Sequence, residues 1–278
     1  MSAVEIVAPP PLTPDNEDDE GIGQKLAGAV SDAAAVAGRN LLTLLRLPQL
    51  LVFSTVQPVV FVLLFRYAFG GAIRTSPGVA YVDFLMPGIF VQTVVFGAIG
   101  TGIGLASDLQ QGFIERFRSL PMARSAVLVG RVASDMVRNV FVIALMAVVG
   151  FLVGFRVHTN AIAFLASMGL LLAFGCAMSA LFAWLGLLMR DPETTQAAAF
   201  PLMAPLVFAS SAFVPVRFMP GWLQAFSSRE PVSVVVDATR ALSLGGSTAG
   251  HLVGAVVWTV LVLVVFGVLA VRQYRRTT

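Results

Sequence analysis

The chain has 278 residues, of which 57% are hydrophobic and only 12% are charged, and its mean hydropathy is +0.86. A soluble globular domain carries roughly 25% charged residues, so this composition excludes a soluble enzyme and a disordered interaction protein. The apolar surface is too large for a single core at this length, and we expect the excess to face lipid.

The first 24 residues form a segment of their own. They hold six of the 15 acidic residues and none of the 18 basic ones, and prolines are frequent among them. We predict a disordered cytoplasmic tail over residues 1–24, without a cleavable signal peptide, because neither a basic nor an apolar region opens the chain. Residues 25–278 carry a net charge of +9 and are predicted to form the transmembrane domain.

An amphipathic helix is predicted over residues 25–46. Apolar side chains recur there at spacings of three and four, from Leu26 to Leu44, and charged side chains interrupt them. Pro48 restricts Leu47 and ends the pattern. In front of a membrane span such a helix fits the lipid interface, and packing on the protein itself is the alternative.

Six segments are apolar over the roughly 20 residues that a spanning helix needs. They cover residues 49–70, 84–106, 127–154, 161–189, 195–215 and 252–271. Pro201 and Pro205 interrupt the fifth, but a bundle can satisfy the backbone groups that they free. With a cytoplasmic N-terminus, 11 basic residues of the connections face inward and five face outward, in agreement with the positive-inside rule. The sequence therefore predicts an all-α membrane protein with both termini in the cytoplasm.

Two connections are long enough to carry function. Residues 107–126 are predicted to be cytoplasmic and helical up to Pro121. Residues 216–251 are predicted to be external, and Phe218, Trp222 and Phe226 contribute to an apolar content that is too high for a loop in open water. We predict short helices that re-enter the outer leaflet, with Trp222 at the level of the lipid headgroups.

Polar side chains inside the predicted spans are candidates for function. Gln57, Gln92, Thr93, Ser210 and Ser211 are predicted near mid-span. They either line a substrate path or form hydrogen bonds between helices, and both alternatives fit the sequence.

Charged residues and glycines also recur at helical spacing. Arg131, Asp135 and Arg138 share one face of the third span, which fits Arg–Asp pairing along that face or contact with a cytoplasmic partner. Gly100 and Gly104 belong to a Gly-x-Gly-x-Gly run that lacks the preceding strand of a dinucleotide site. We expect these two glycines to allow close helix packing.

Several chemistries lack the residues that they need. The only lysine, Lys25, is not part of a Walker A loop, and Cys176 has no second cysteine. His158 and His251 have no accompanying ligands for zinc. We expect no catalytic residue, metal or cofactor in this chain. No proton or sodium relay and no internal repeat is visible in the sequence, so uphill transport would need energy from another chain.

Three segments of the sequence resemble ABC-2 type exporter permeases, most closely the daunorubicin-resistance branch of drug and lipid export permeases. They are Phe53–Pro58, Gln111–Gly130 and Ser210–Leu242. The resemblance implies six membrane helices, an interfacial helix before the first, a cytoplasmic coupling helix and two re-entrant helices between spans five and six. It also implies a second permease, identical or homologous, and two copies of a separate ATPase subunit that binds ATP and Mg.

The resemblance also assigns residues. It places the coupling helix on about Gln111–Leu120 and a turn at Pro121. The coupling residues are Gln111, Phe113, Glu115, Arg116, Phe117, Arg118, Leu120 and Pro121, with the charged ones toward the ATPase and the phenylalanines as an apolar anchor. The external hairpin falls on Pro215–Leu242 and includes Phe218, Trp222, Phe226, Asp237 and Arg240.

The function implied by the resemblance is the permease subunit of an ATP-driven exporter in the bacterial inner membrane. Amphipathic drug-like or lipid substrates fit such a subunit, as do antibiotic resistance and contact with membrane lipids, and no nucleic acid is expected as a partner. Three alternatives stay open: a membrane-embedded lipid-modifying enzyme, a permease for polysaccharide or glycolipid, and a structural protein whose loops recruit partners. Arg66 departs from the family pattern, which is uncharged at that point of the first span.

Overall fold

A computed structural model describes residues 48–70, 79–112 and 126–277. Within these ranges the chain forms α-helices joined by short connections, and it contains no strand. The helices are α1 (Pro48–Leu63), α2 (Tyr81–Gln110), α3 (Ala126–Val153), α4 (Ala161–Met189), α5 (Pro192–Phe208), α6 (Gly221–Ser227), α7 (Pro231–Leu244) and α8 (Thr248–Thr277). A π-helical turn, Leu64–Phe69, continues α1, and a 3-10 turn, Val216–Phe218, precedes α6.

Four of these helices, α2, α3, α4 and α8, are long and apolar enough to cross a membrane. This confirms the prediction of an α-helical membrane protein with several apolar helices. The first predicted span corresponds to α1 and its π-helical turn, which contains Arg66. The predicted tail and the amphipathic helix over residues 25–46 lie outside the described residues.

The fifth predicted span differs from the structure. It was expected over residues 195–215, but α5 begins at Pro192 and ends at Phe208. Asp191 starts the helix by accepting a hydrogen bond from the backbone nitrogen of Thr194 at 2.8 Å. The helix ends where the hydroxyl of Ser210 donates to the carbonyl oxygen of Val207 at 2.6 Å, because such local side-chain bonds compete with helical ones. Ser210 therefore lies in a turn after α5 and not at mid-span.

Helix α2 lies at the centre of the bundle. It contacts α1, α3, α4, α5 and α7, and every residue from Tyr81 to Val95 is buried. Helix α8 packs on α4 and α7, and its outer face exposes valines such as Val253 and Val257. An apolar helix that is exposed on one side of such a bundle faces lipid.

The turn after α5 is held against the first helix by aromatic side chains. The rings of Phe65 and Phe213 stack with their centroids 4.6 Å apart, and Phe208 stacks on Phe213 at 5.6 Å. These contacts join the π-helical turn to the chain beyond α5.

The backbones of helices α2 and α4 meet at two glycines. A Cβ on Gly102 would lie 2.5 Å from the carbonyl oxygen of Phe182, and a Cβ on Gly186 would lie 2.8 Å from the carbonyl carbon of Gly102. The two backbones are therefore in direct contact, which only very small residues allow.

Gly100 and Gly104, for which the sequence predicts close helix packing, are not the glycines that meet α4. Two residues along a helix correspond to a rotation of about 200°, so these glycines point away from the face that Gly102 presents to α4. They face α3 instead, and a Cβ on Gly100 would lie 3.1 Å from Nη1 of Arg138. Gly100 and Gly104 form a glycine stripe on α2 that leaves room for the side chains of Arg138 and Arg131.

Candidate functional site

A small polar cavity lies between α1, α2 and α3. Its volume is about 90 Å³, and its wall consists of Gln57, Pro58, Gln92, Thr93, Phe96, Gly97, Arg138, Asn139 and Val142. Three of the five side chains that the sequence suggests for a substrate path, Gln57, Gln92 and Thr93, thus meet at one place. That they contact substrate stays a prediction.

Two polar groups of the cavity wall have no partner. The side-chain oxygen Oε1 of Gln92 and the side-chain nitrogen Nδ2 of Asn139 are buried and make no hydrogen bond within the described part of the chain. Their residues are only 2% and 4% exposed. The hydroxyl of Thr93, in contrast, donates to the carbonyl oxygen of Ile89 at 2.7 Å. An unsatisfied buried polar atom costs about 1–3 kcal/mol, so these two amides lower the stability of the bundle at this place.

Sequence reasoning did not select Asn139. A signal for it was present, because it is an amide side chain beside Arg138 inside a predicted span, and polar side chains at such positions are functional candidates. Gly97 completes this part of the wall, since a Cβ there would lie 3.3 Å from Oδ1 of Asn139.

The charge of Arg138 is compensated within the bundle. Its Nη2 lies 3.3 Å from Oδ1 of Asp135 and donates to the carbonyl oxygen of Gly97 at 2.6 Å. Asp135 also accepts a hydrogen bond from the hydroxyl of Thr101, which lies 3.2 Å from Oγ of Ser179. A charge in a membrane-spanning helix is tolerated when it is paired and hydrogen-bonded, and this chain of polar contacts links α3 through α2 to α4.

Arg131 has a different partner from the one that its spacing suggests. Its Nη1 lies 3.0 Å from Oδ2 of Asp108 in α2, and its guanidinium lies against Gly104. Pairing within α3 is therefore confirmed for Asp135 with Arg138, while Arg131 pairs across to α2. Both arginines fix α3 to the glycine stripe of α2.

A second polar cluster anchors α7 near the start of α2. Arg240 donates to Oδ1 of Asp237 at 2.6 Å, to the carbonyl oxygen of Ser211 at 2.9 Å and to the carbonyl oxygen of Phe84 at 3.2 Å. Its guanidinium also lies 3.8 Å from the ring centroid of Phe84. The backbone nitrogen of Ser211 donates to Oγ of Ser233 at 2.8 Å. These contacts hold together the start of α2, the turn after α5 and helix α7.

Neither Ser210 nor Ser211 lines the cavity. Ser211 belongs to the anchoring cluster, whereas Ser210 bonds within its own turn, to the carbonyl oxygen of Val207 and the backbone nitrogen of Ala212. Ser210 and Ser211 are 1% and 2% exposed, and the hydroxyl of Ser211 donates to Asp237 at 2.9 Å. Hydrogen bonding between segments, the second alternative for these serines, describes the contacts of Ser211 only. Asp237 and Arg240, which were assigned to the external hairpin, attach that segment to α2.

Glu230 caps the N-terminus of α7. Its carboxylate accepts hydrogen bonds from the backbone nitrogens of Val232, at 2.7 Å, and Ser233. Burial raises the pKa of Glu230 to about 7, because removal from water disfavours the charged form more than these bonds favour it.

A larger groove between α3, α4 and α8 is almost entirely apolar. Its volume is about 370 Å³, and its wall consists of Val132, Ala133, Met136, Cys176, Ala180, Ala183, Leu263, Gly267, Ala270 and Val271. Such a wall can hold hydrocarbon but offers no group that orients a polar ligand. The polar cavity is therefore the better candidate for recognition.

Comparison with known proteins identifies the family. A sequence model described as ABC-2 type transporter matches residues 32–244. The chain belongs to the ABC-2 type transporter family. The match covers most of the chain and agrees with the resemblance carried by the three segments.

Several curated relatives are permeases whose names refer to drug resistance. The daunorubicin resistance ABC transporter permease DrrB1 of Streptomyces coeruleorubidus is 36% identical over 251 residues, which are 90% of this chain and 88% of that protein. The doxorubicin resistance ABC transporter permease DrrB of Mycobacterium tuberculosis is 31% identical over 69% of each chain. The probable doxorubicin resistance permease DrrC of the same species is 24% identical over 81% of each chain.

The predicted coupling segment of this ABC-2 chain lies mostly outside the described residues. Gln111 directly follows α2, and its Nε2 donates to Oγ of Ser107 at 2.9 Å. The assignments to Phe113, Glu115, Arg116, Phe117, Arg118, Leu120 and Pro121 fall on residues 113–125, whose structure is not described, and stay predictions.

The segment that is predicted to be external exposes aromatic side chains. Phe218, Trp222 and Phe226 are 51%, 76% and 44% exposed. Helices α6 and α7 are too short to cross a bilayer, since they have seven and 14 residues. Exposed aromatic rings on short helices are compatible with the membrane interface, and this placement stays a prediction for the ABC-2 chain.

Proposed function

We propose that this chain is the membrane-spanning subunit of an ATP-driven exporter of amphipathic drug-like or lipid molecules. It works with two copies of a separate ATPase subunit and with a second permease. The observation that carries the proposal is the family match over residues 32–244 on a bundle with a polar cavity among apolar helices. The relatives named for daunorubicin and doxorubicin resistance suggest the substrate class.

The proposed topology has six spans in the bacterial inner membrane, with both termini in the cytoplasm. The spans are α1 with its π-helical turn, α2, α3, α4, α5 and α8. Helices α6 and α7 form an external re-entrant hairpin, which the length of these helices and the exposed aromatic rings support. The excess of basic residues on the inner side supports the orientation.

The contacts between α2 and α3 suggest how ATPase movement reaches the cavity. Helix α2 ends and α3 begins on either side of the coupling segment, at Gln110 and Ala126. The Arg131–Asp108 bridge and the bond from Arg138 to Gly97 join these two helices along their length. A push on the coupling segment would therefore move α2 and α3 together. Because α1 forms the third wall of the cavity, this movement would change its width.

Reversal of one charge in the coupling segment tests the proposal. Glu115→Arg should leave membrane insertion and ATP hydrolysis by the complex intact but lower export per ATP by about tenfold, since the contact with the ATPase becomes repulsive. Export is measured as ATP-dependent movement of doxorubicin in proteoliposomes that contain the permease and its ATPase.

Glu17→Arg is the matched control, because it makes the same charge change in the predicted tail. Unchanged export by the Glu115→Arg complex would contradict the coupling role. A wild-type complex without ATP-driven export of any amphipathic probe would contradict the proposed function itself.

A further inference from the structure

The apolar groove between α3, α4 and α8 lies near one end of the bundle. Its wall includes Val132 near the start of α3, Ala183 near the end of α4 and Val271 near the end of α8. On α8 the wall extends from Leu263 to Val271, a rise of about 12 Å along the helix axis. One leaflet of a bilayer contributes a hydrocarbon layer of about 15 Å. The groove therefore has about the length of one leaflet.

The groove is open beside Gly267 of α8. A Cβ on this residue would have no neighbour within 4 Å, although Gly267 belongs to the wall. On the same helix a Cβ on Gly254 would lie 3.1 Å from a side-chain carbon of Val234. The described side chains thus leave room at Gly267 that they close elsewhere on α8. An apolar wall does not hold ordered water, so hydrocarbon is the occupant that it accepts.

Exposed arginines lie at the end of the bundle that the groove approaches. Arg275 follows Val271 by four residues, which places it about 6 Å beyond the wall on the same side of α8. Within the described part of the chain, four arginines at this end are exposed and have side chains without an ion pair or hydrogen bond: Arg190, Arg272, Arg275 and Arg276.

Positive charge is in excess at this end among the described residues. Asp108 is already paired with Arg131, and Asp191 caps α5 by accepting from Thr194. Glu193 is exposed, so one free carboxylate stands against four exposed guanidinium groups. Such a cluster at the end of a membrane helix attracts anionic lipid headgroups.

An anionic lipid fits the groove and its charges better than a protein segment does. A second permease in a symmetric interface would bring the same arginines together, and like charges repel. The predicted amphipathic helix over residues 25–46 carries three basic residues and one acidic residue, so it would be repelled as well. A phospholipid with a negative headgroup supplies hydrocarbon and counter-charge in one molecule.

We propose that this groove holds an acyl chain of an anionic phospholipid from the surrounding bilayer, with the headgroup beside Arg275. Because the bilayer is as apolar as the wall, the groove positions the chain and the arginines select the headgroup. In the proposed topology this lipid belongs to the cytoplasmic leaflet. The site is separate from the polar cavity, and its occupation does not depend on which molecule is exported.

Binding of two lipids with the same chains tests this assignment. Palmitoyl-oleoyl phosphatidylglycerol is anionic, and palmitoyl-oleoyl phosphatidylcholine has no net charge. Each is titrated onto the full-length chain in complex with its ATPase, without nucleotide, and the first bound lipid is quantified by native mass spectrometry. The anionic lipid should bind about tenfold more tightly, because each arginine near an anionic group contributes about fivefold and screening reduces the sum.

Substitutions then locate the preference. Arg275→Gln should reduce the preference for the anionic lipid to about twofold, since the nearest cation is lost. Its matched control is Arg229→Gln, which removes an exposed arginine from the segment between α6 and α7 and should leave the preference unchanged. Gly267→Phe should also reduce the preference to about twofold, because the ring fills the open space and displaces the acyl chain.

Gly169→Phe is the matched control for the filled groove. A Cβ on Gly169 also has no neighbour within 4 Å, but this residue of α4 is not part of the wall, so the preference should stay. Gly267→Leu, a smaller filling, repeats the test if the phenylalanine variant unfolds at a lower temperature.

Equal affinity of the wild-type complex for the two lipids would overturn the proposal and would fit a groove that is covered by protein. An unchanged preference in Arg275→Gln would refute the position of the headgroup. A preference that falls in Arg275→Gln but persists in both Gly267 variants would show that the arginines bind lipid without the groove, which also overturns the proposal.

Discussion

The contact between Gly102 and Gly186 makes a precise prediction about bundle stability. In Gly186→Ala the added methyl would lie 2.8 Å from the carbonyl carbon and 2.9 Å from the Cα of Gly102. Carbon atoms in contact are about 3.5–4.0 Å apart, so α2 and α4 must separate by about 1 Å. No side-chain rotation can relieve this overlap, because both groups belong to the backbone or are fixed to it.

The cost follows from two opposing effects. Overpacking of a tight interface costs about 1–3 kcal/mol, and alanine gains about 0.5–1 kcal/mol over glycine in a helix. The separation would also stretch the 3.2 Å contact between Thr101 and Ser179 beyond hydrogen-bonding distance. We expect a net loss of about 1–2 kcal/mol in the free energy of unfolding and a weaker polar connection between α4 and α3.

Gly169→Ala in the same helix is the matched control. A Cβ there has no neighbour within 4 Å, so only the gain in helix propensity applies and stability should stay equal or rise. The assay is thermal unfolding of both purified variants in the same lipid nanodiscs. If Gly186→Ala unfolds at the same temperature as Gly169→Ala, the close approach of α2 and α4 is refuted.

Two further predictions concern the anchoring of α7. Arg240→Lys should lower stability by about 2–3 kcal/mol and speed hydrogen exchange over residues 231–244, because an ammonium cannot reproduce the fork of hydrogen bonds and the stacking on Phe84. Exchange as slow as in the wild type would contradict this anchor. Burial raises the pKa of Glu230 from 4.5 to about 7, so its protonation stabilises the fold fully below pH 4.5 and this contribution is lost as pH rises through 7. Thermal unfolding across this pH range should depend on pH less steeply in Glu230→Gln, and an unchanged slope would show that Glu230 is not responsible.

The positions of the long helices could be read from the sequence. A spanning helix needs roughly 20 apolar residues in succession, which is a local property, and α2, α3, α4 and α8 follow from it. The family could also be recognised, because its characteristic segments are continuous in the chain. The end of α5 at Phe208 could not, since apolar residues continue beyond it and the turn depends on bonds made by Ser210 and on contacts with α1.

In the candidate site, too, the sequence indicates some of the residues, but only the folded structure shows which of them come together. Gln57, Gln92 and Thr93 stand out as polar residues in apolar segments, but their meeting with Asn139 around one cavity depends on how α1, α2 and α3 pack. Ser211 has the same sequence signal and belongs to a different cluster.

The sequence by itself determined that this chain forms apolar helices and belongs to an exporter family, because hydropathy and family segments are properties of neighbouring residues. Only the tertiary structure decided that Gly102 and not Gly104 meets α4, and that Arg131 pairs with Asp108. Such choices depend on the rotation and separation of whole helices. These are fixed by all the contacts of the bundle together, and no single segment encodes them.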